Sequence, residues 1–137
     1  MSYRVAHEIH SKVQSLFTWA PDAEVFGRIE HWQDFADCVN NGERFKGDCD
    51  DFALTCLIVG IESCLFKPEL CRVARVATEI CPESQPFDHA IAIYDGYMLD
   101  NRHRKPVRMS DAMRLYRFYD YADIPITNWY LYSDGES

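Results

Sequence analysis

Gly47-Asp48-Cys49-Asp50-Asp51-Phe52-Ala53 opens a stretch that runs on through Leu54-Thr55-Cys56-Leu57-Ile58-Val59-Gly60, and what this stretch becomes decides how the rest of the chain folds. Cys49, Phe52, Ala53, Cys56, Leu57 and Gly60 follow helical spacing, while Leu54, Ile58 and Val59 fill most of the remaining circumference. A helix that is apolar nearly all round is a buried one, so other elements must cover it. Asp48 stands as its N-cap, and Cys49 falls in the first turn. A free thiol has a pKa of about 8.5, and unpaired helix amides lower it, which makes Cys49 a candidate nucleophile. The same position also suits plain apolar packing, the role open to Cys56 seven positions later.

Upstream, Val5, Ile9, Val13 and Phe17 recur at a spacing of four. They predict an amphipathic helix from Tyr3 to Trp19, stopped by Pro21. A second helix is expected from Glu24 to Val39, with Val25, Ile29, Trp32, Phe35 and Ala36 on one face and Asn40-Asn41-Gly42 at its end. Residues 42–47 then form a loop. Downstream, Cys71 to Ile80 and Phe87 to Tyr94 carry strand-like patterns, and Asp95-Gly96 marks a tight turn into a strand from Tyr97 to Arg102. A short helix near Ser110 to Leu115 precedes two aromatic runs, Tyr116 to Tyr121 and Trp129 to Tyr132, separated by Pro125 and expected as further strands. Helices first, then a buried helix, then an antiparallel sheet describe an α+β domain.

The hairpin brings two polar residues together. A two-residue turn at Asp95-Gly96 sets Ile93 opposite Met98, Ile91 opposite Asp100 and His89 opposite Arg102. Asp100 is then diagonal to His89 on one sheet face. A carboxylate so placed can accept one imidazole N–H and leave the other nitrogen for a thiol. A solvated His and Asp sharing a sheet face is the plainer alternative.

At 137 residues and 47% hydrophobic composition the chain supports one core, and a single domain over residues 1–137 is expected. A net charge of −8 repels phosphate backbones, so nucleic acid is excluded as a partner. No stretch approaches membrane-spanning length and the N-terminus lacks the apolar core of a secretory signal, so no membrane partner and a cytoplasmic location are expected. The six cysteines then read as free thiols in apolar segments, and no CxxC pair occurs.

GDCDDFA at 47–53, DHAIAIYDG at 88–96 and LDNR at 99–102, in that order and spacing, resemble the bacterial transglutaminase-like cysteine peptidases, a branch of the papain-like and transglutaminase fold. The resemblance runs from Glu30 to Tyr132. It implies N-terminal helices and a buried helix carrying Cys49, packed on an antiparallel sheet. It also implies Cys49 as nucleophile, His89 as general base, Asp100 as the residue orienting it, and a protein or peptide substrate. Trp32 corresponds to a tryptophan that relatives carry near the active site, where it would line the groove or assist an oxyanion; at helical apolar spacing it equally suits the core.

Asp48, Asp50 and Asp51 crowd the thiol with negative charge, which raises its pKa unless something offsets it. The resemblance points to calcium at Asp48 and Asp50, although the chemistry itself requires no cofactor. Simple capping by acidic residues is the other account. The same triad serves hydrolysis, acyl transfer to an amine or deamidation, which differ in what attacks the thioester. A non-catalytic protein-binding module is the reading from another class. A zinc site on Cys49, His89 and Asp100 is weaker, because one sulfur alone converges there. Oligomeric state leaves no mark in the sequence.

Overall fold

The computed structural model describes residues 2–20 and 34–124. Helix α1 (Ser2–Leu16) buries Ala6, Ile9, His10 and Val13 on one stripe. It stops three residues short of the expected end, because Phe17–Trp19 form strand β1, paired in parallel with β2 (Phe45–Gly47). The expected loop over 42–47 is therefore partly strand. Aromatic packing accounts for both corrections: the Phe17 ring lies 5.6 Å from that of Phe45 and 5.0 Å from that of Phe52. The Ala20 N–H also donates to the Gly47 carbonyl at 2.7 Å. Phe17 continues the spacing of Val13 yet reaches the core from extended backbone. Of the helix expected over 24–39, residues 34–39 are described, and they correct it: Asp34 and Phe35 are not helical, and α2 (Ala36–Asn40) starts only after Phe35, whose N–H is taken by the Thr55 hydroxyl at 2.8 Å; the rest, with Trp32, lies outside the described residues, as does the run Trp129 to Tyr132.

Helix α3 (Cys49–Glu62) is buried from Asp50 through Leu57 and again at Val59 and Gly60. Its start is a capping box: Asp48 Oδ1 accepts the amides of Asp50 at 3.1 Å and Asp51 at 3.4 Å, and Asp51 Oδ2 accepts the Asp48 amide at 3.1 Å. Such a cap contributes about 1 kcal/mol. Gly47 makes room for it, since a Cβ there would sit 2.7 Å from Asp51 Cβ and 2.8 Å from Oδ2.

Five antiparallel strands carry α3: β3 (Cys71–Ala77), β4 (His89–Tyr94), β5 (Tyr97–Leu99), β6 (Val107–Arg108) and β7 (Arg117–Asp123), in the order β6-β5-β4-β3-β7. Helix α4 (Met109–Leu115) sits between β6 and β7 in the chain. Alternation along the strands makes two cores. Val73, Ala90, Ala92 and Leu99 pack with α1 and α3, whereas Ala74, Val76, Ile91, Ile93 and Met98 pack with Ala112 and Tyr116.

The hairpin pairs Tyr94 with Tyr97, Ile93 with Met98 and Ala92 with Leu99. Asp95 and Gly96 take φ values of 46° and 87°, the left-handed pair that a two-residue turn needs. The ladder ends at Leu99, so the expected pairs Ile91–Asp100 and His89–Arg102 are not formed. The chain turns there instead, with the His103 N–H on the Asp100 carbonyl at 3.1 Å. The strand expected to Ile80 ends at Ala77, because the Asp88 carboxylate takes the Thr78 amide at 2.8 Å and its hydroxyl at 2.7 Å. No cysteine is bridged, although Cys64 is exposed rather than held in an apolar segment. Among the described residues no helix is long and apolar enough to cross a membrane.

Helix α1 reaches the turn after β5 through His10, whose Nε2–H donates to the Asp100 carbonyl at 2.9 Å, while Gln14 donates to the carbonyls of Asn101 and His103. His10 is fully buried. Burial lowers its pKa, against the opposing pull of the Asp100 carbonyl and charge. Its folded pKa thus lies below the unfolded value, so neutral His10 costs nothing above about pH 6.5 and stability drains away as pH falls below that.

Two outcomes are expected. Gly47→Ala should cost about 1–3 kcal/mol by overpacking Asp51, read as a lower urea midpoint with the slope unchanged. The thermal midpoint should drop between about pH 7 and pH 5, and His10→Gln, which keeps a donor but does not titrate, should flatten that drop. A wild-type midpoint with no slope over this range would remove His10 from the account.

Candidate active site

Cys49 is the first residue of α3 and keeps partial exposure. Its thiol donates to Asp50 Oδ1 at 3.5 Å. Burial, then the charges of Asp50 and Asp48, push the thiol well above its ordinary pKa, with the Ala90 amide pulling the other way. With burial, this is the direction expected from the crowding of carboxylates around the thiol, and the helix amides do not outweigh it. The amides of Asp50 and Asp51 are taken by Asp48, so their partial charge is spent on the cap.

His89 and Asp100 meet directly. The His89 Nε2–H donates to Asp100 Oδ1 at 2.7 Å, and both residues are buried. The imidazole therefore keeps Nδ1 for another partner. Among the described residues no hydrogen bond joins that nitrogen to Cys49, but the helix that Cys49 opens packs against the strand that His89 opens.

Asp100 has further donors that its sequence neighbourhood did not reveal. The Arg102 N–H donates to Oδ1 at 3.1 Å, and the Tyr116 hydroxyl donates to Oδ2 at 2.5 Å. His103 Nε2 stands 3.5 Å from Oδ2 and 3.4 Å from the Tyr116 oxygen. Burial alone would raise the carboxyl pKa. The bond and charge of His89, the Tyr116 hydroxyl and the Arg102 amide outweigh it and hold Asp100 below the ordinary carboxylate value. Tyr116 is pushed the opposite way by burial and by its bond to the Asp100 charge, so it stays a donor.

Tyr116 begins one of the aromatic runs read as a strand, and no local pattern sets its hydroxyl apart from those of Tyr119 and Tyr121. It lies just outside β7, capping α4 through its N–H on the Ala112 carbonyl at 3.0 Å. His10 did leave a signal: it is a titratable residue on the stripe formed by Ala6, Ile9 and Val13.

Asp48 and Asp50 offer hard oxygen donors of the kind calcium takes, and their charges are the ones that oppose the Cys49 thiolate. Such a cation fits this donor chemistry. Among the described residues no three His, Cys, Asp or Glu side chains converge on a point that could hold a metal, so further ligands would be carbonyls or water. The same observation removes support for zinc on Cys49, His89 and Asp100.

No family model matches this chain, and no curated protein does. Solved structures do. LapG of Legionella pneumophila superposes with a TM-score of 0.64 at 15% identity, over 90% of this chain and 66% of that one. The calcium-bound form of LapG gives 0.64 at 16% identity, over 88% and 65%, and the EGTA-treated form 0.58 at 17%, over 85% and 61%. The chain thus spans just under two thirds of the length of these neighbours. At such identity the likeness is one of fold: this is an α+β, transglutaminase-like and papain-like domain, with a buried helix that begins at Cys49 packed on an antiparallel sheet.

Proposed function

We propose that this chain is a cysteine-dependent amide hydrolase acting on a protein or peptide, with Cys49 as nucleophile, His89 as general base and Asp100 as its orienter. The observation that carries the reading is the 2.7 Å bond from His89 Nε2 to a buried carboxylate, at the start of the strand that packs against the helix opened by Cys49. His89 Nδ1 takes the thiol proton as sulfur attacks the amide carbon. The Cys49 backbone N–H, in the first helical turn, is the natural donor to the oxyanion, and Trp32 is a second candidate. The imidazolium then protonates the leaving amine, and a thioester remains. Water, deprotonated by His89, cleaves it to release the acid and restore the thiol. An amine in place of that water gives transamidation, and a glutamine side chain as substrate gives deamidation.

A single observation favours the non-catalytic binding module: a thiol held on Asp50 with a raised pKa is a poor nucleophile while His89 is neutral. Formation of the imidazolium is what the catalytic reading requires. Calcium, present in one form of the LapG neighbour, would counter the same two charges if held by Asp48 and Asp50. It would supply a fixed positive field beside the sulfur, while the protein's own groups still bind, orient and move the proton.

Competitive labelling by a thiol reagent separates these readings. Exposure alone would favour Cys64 and spare the buried Cys56 and Cys71. Peptide mapping at neutral pH is expected to find Cys49 modified first, with His89→Ala slowing it by about 100-fold. Labelling in order of exposure would sink the catalytic reading. For calcium, calorimetry should detect binding, with a higher thermal midpoint that chelator reverses and Asp50→Ala abolishes. Absence of heat and of any midpoint shift would reduce Asp48 and Asp50 to capping and packing.

A further inference from the structure

The Asp100 carboxylate must present Oδ1 to His89 if the imidazole is to keep Nδ1 toward the thiol, yet a carboxyl group turns readily about its own Cα–Cβ–Cγ bonds. The Arg102 amide holds Oδ1 at 3.1 Å, and a second donor on the other oxygen completes the hold. We infer that Tyr116 is the positioning residue of this site: its hydroxyl fixes Asp100 through Oδ2 and its ring fixes the plane of His89. The inference rests on the hydrolase reading above and names the residue that makes its triad rigid.

Three observations carry it. The hydroxyl donates to Oδ2 at 2.5 Å, on the far oxygen from the one bonded to His89. The Tyr116 ring meets the His89 ring edge to face, with centroids 5.5 Å apart at 65°. Aromatic pairs favour this arrangement, so the same side chain constrains base and orienter together. Tyr116 is itself buried and held by its place at the end of α4, with Ala112, Met98 and Ile91 in the same cluster. The Arg102 guanidinium lies 5.8 Å from the ring centroid and pairs with Glu79 at 3.4 Å, covering the ring.

His103 is the competing candidate, since it also approaches Oδ2. Its distance of 3.5 Å is too long for a strong bond, and its side chain is about a third exposed. A contact of 2.5 Å from a buried hydroxyl decides between them.

The experiment uses the whole chain with Tyr116→Phe, which keeps the ring and removes the donor, and His103→Gln as the comparison. The first readout is the His89 Nε2 proton by NMR, protected from exchange when Asp100 is fixed. The second is the rate of Cys49 labelling. Tyr116→Phe is expected to speed exchange of that proton and slow labelling, each by about 10-fold, the loss appropriate to one hydrogen bond on a charged group. His103→Gln should leave both within about twofold of wild type, inside that same margin. Incorporating 3-fluorotyrosine at position 116, which retains the hydroxyl, should restore both and serves also if the Phe variant folds poorly. Wild-type values in Tyr116→Phe, or losses in His103→Gln that match it, would overturn the assignment. Failure of the hydrolase reading looks different: Cys49 is then unreactive in the wild type, while the His89 proton still reports whether Tyr116 holds Asp100.

Discussion

The Asp100 carboxylate is the interaction on which the rest of this site depends. Removing an ion from water costs several kcal/mol, and at 1% exposure Asp100 recovers that cost through donors alone. His89 and the Arg102 amide serve one oxygen and Tyr116 the other, while the carbonyl of the same residue takes the His10 N–H. These donors come from the first position of β4, the turn after β5, the end of α4 and the buried stripe of α1. One residue therefore ties the layer in front of the sheet to the layer behind it. Losing a single donor would leave a buried charge short of a partner, which is costlier than any surface contact in the molecule.

The start of α3 shows local stability and reactivity pulling against each other. The Asp48 cap contributes about 1 kcal/mol to the helix. A carboxylate near 4 Å from a thiolate opposes it by on the order of 4 kcal/mol at the effective dielectric of a protein site, and Asp50 Oδ1 lies 3.5 Å from the sulfur. The cap comes from Asp48 and the nearer repulsion from Asp50, so removing the cap would not relieve the thiolate. A reactive thiolate here thus needs a positive neighbour, the part that the proposed mechanism gives to the His89 imidazolium. The Ala90 amide contributes in the same direction but carries only a partial charge.

Much of the architecture was legible because it follows from periodicity. A stretch apolar on every side had to be buried, and α3 is; Asp95-Gly96 had to turn tightly, and the turn determined the register of Ile93 on Met98. The failures lie where a side chain's partner is remote. Phe17 keeps step with Val13 in sequence, but its contacts are Phe45 and Phe52, and those contacts drew residues 17–19 into a strand. The ladder stopped at Leu99 for a similar reason, since the turn at Asp100 is held by α1.

For the site, the sequence by itself determined the cap, the helix that begins at Cys49 and the hairpin that brings Asp100 near His89, because each depends on residues close together in the chain. Only the tertiary structure decided that the Cys49 thiol is desolvated and that Tyr116 and His10 converge on Asp100. Tyr116 is 16 residues from Asp100 and His10 is 90 away. No short-range pattern encodes such a meeting, because a hydrogen bond is set by distance and direction, and over those separations both are products of how helices and sheet pack.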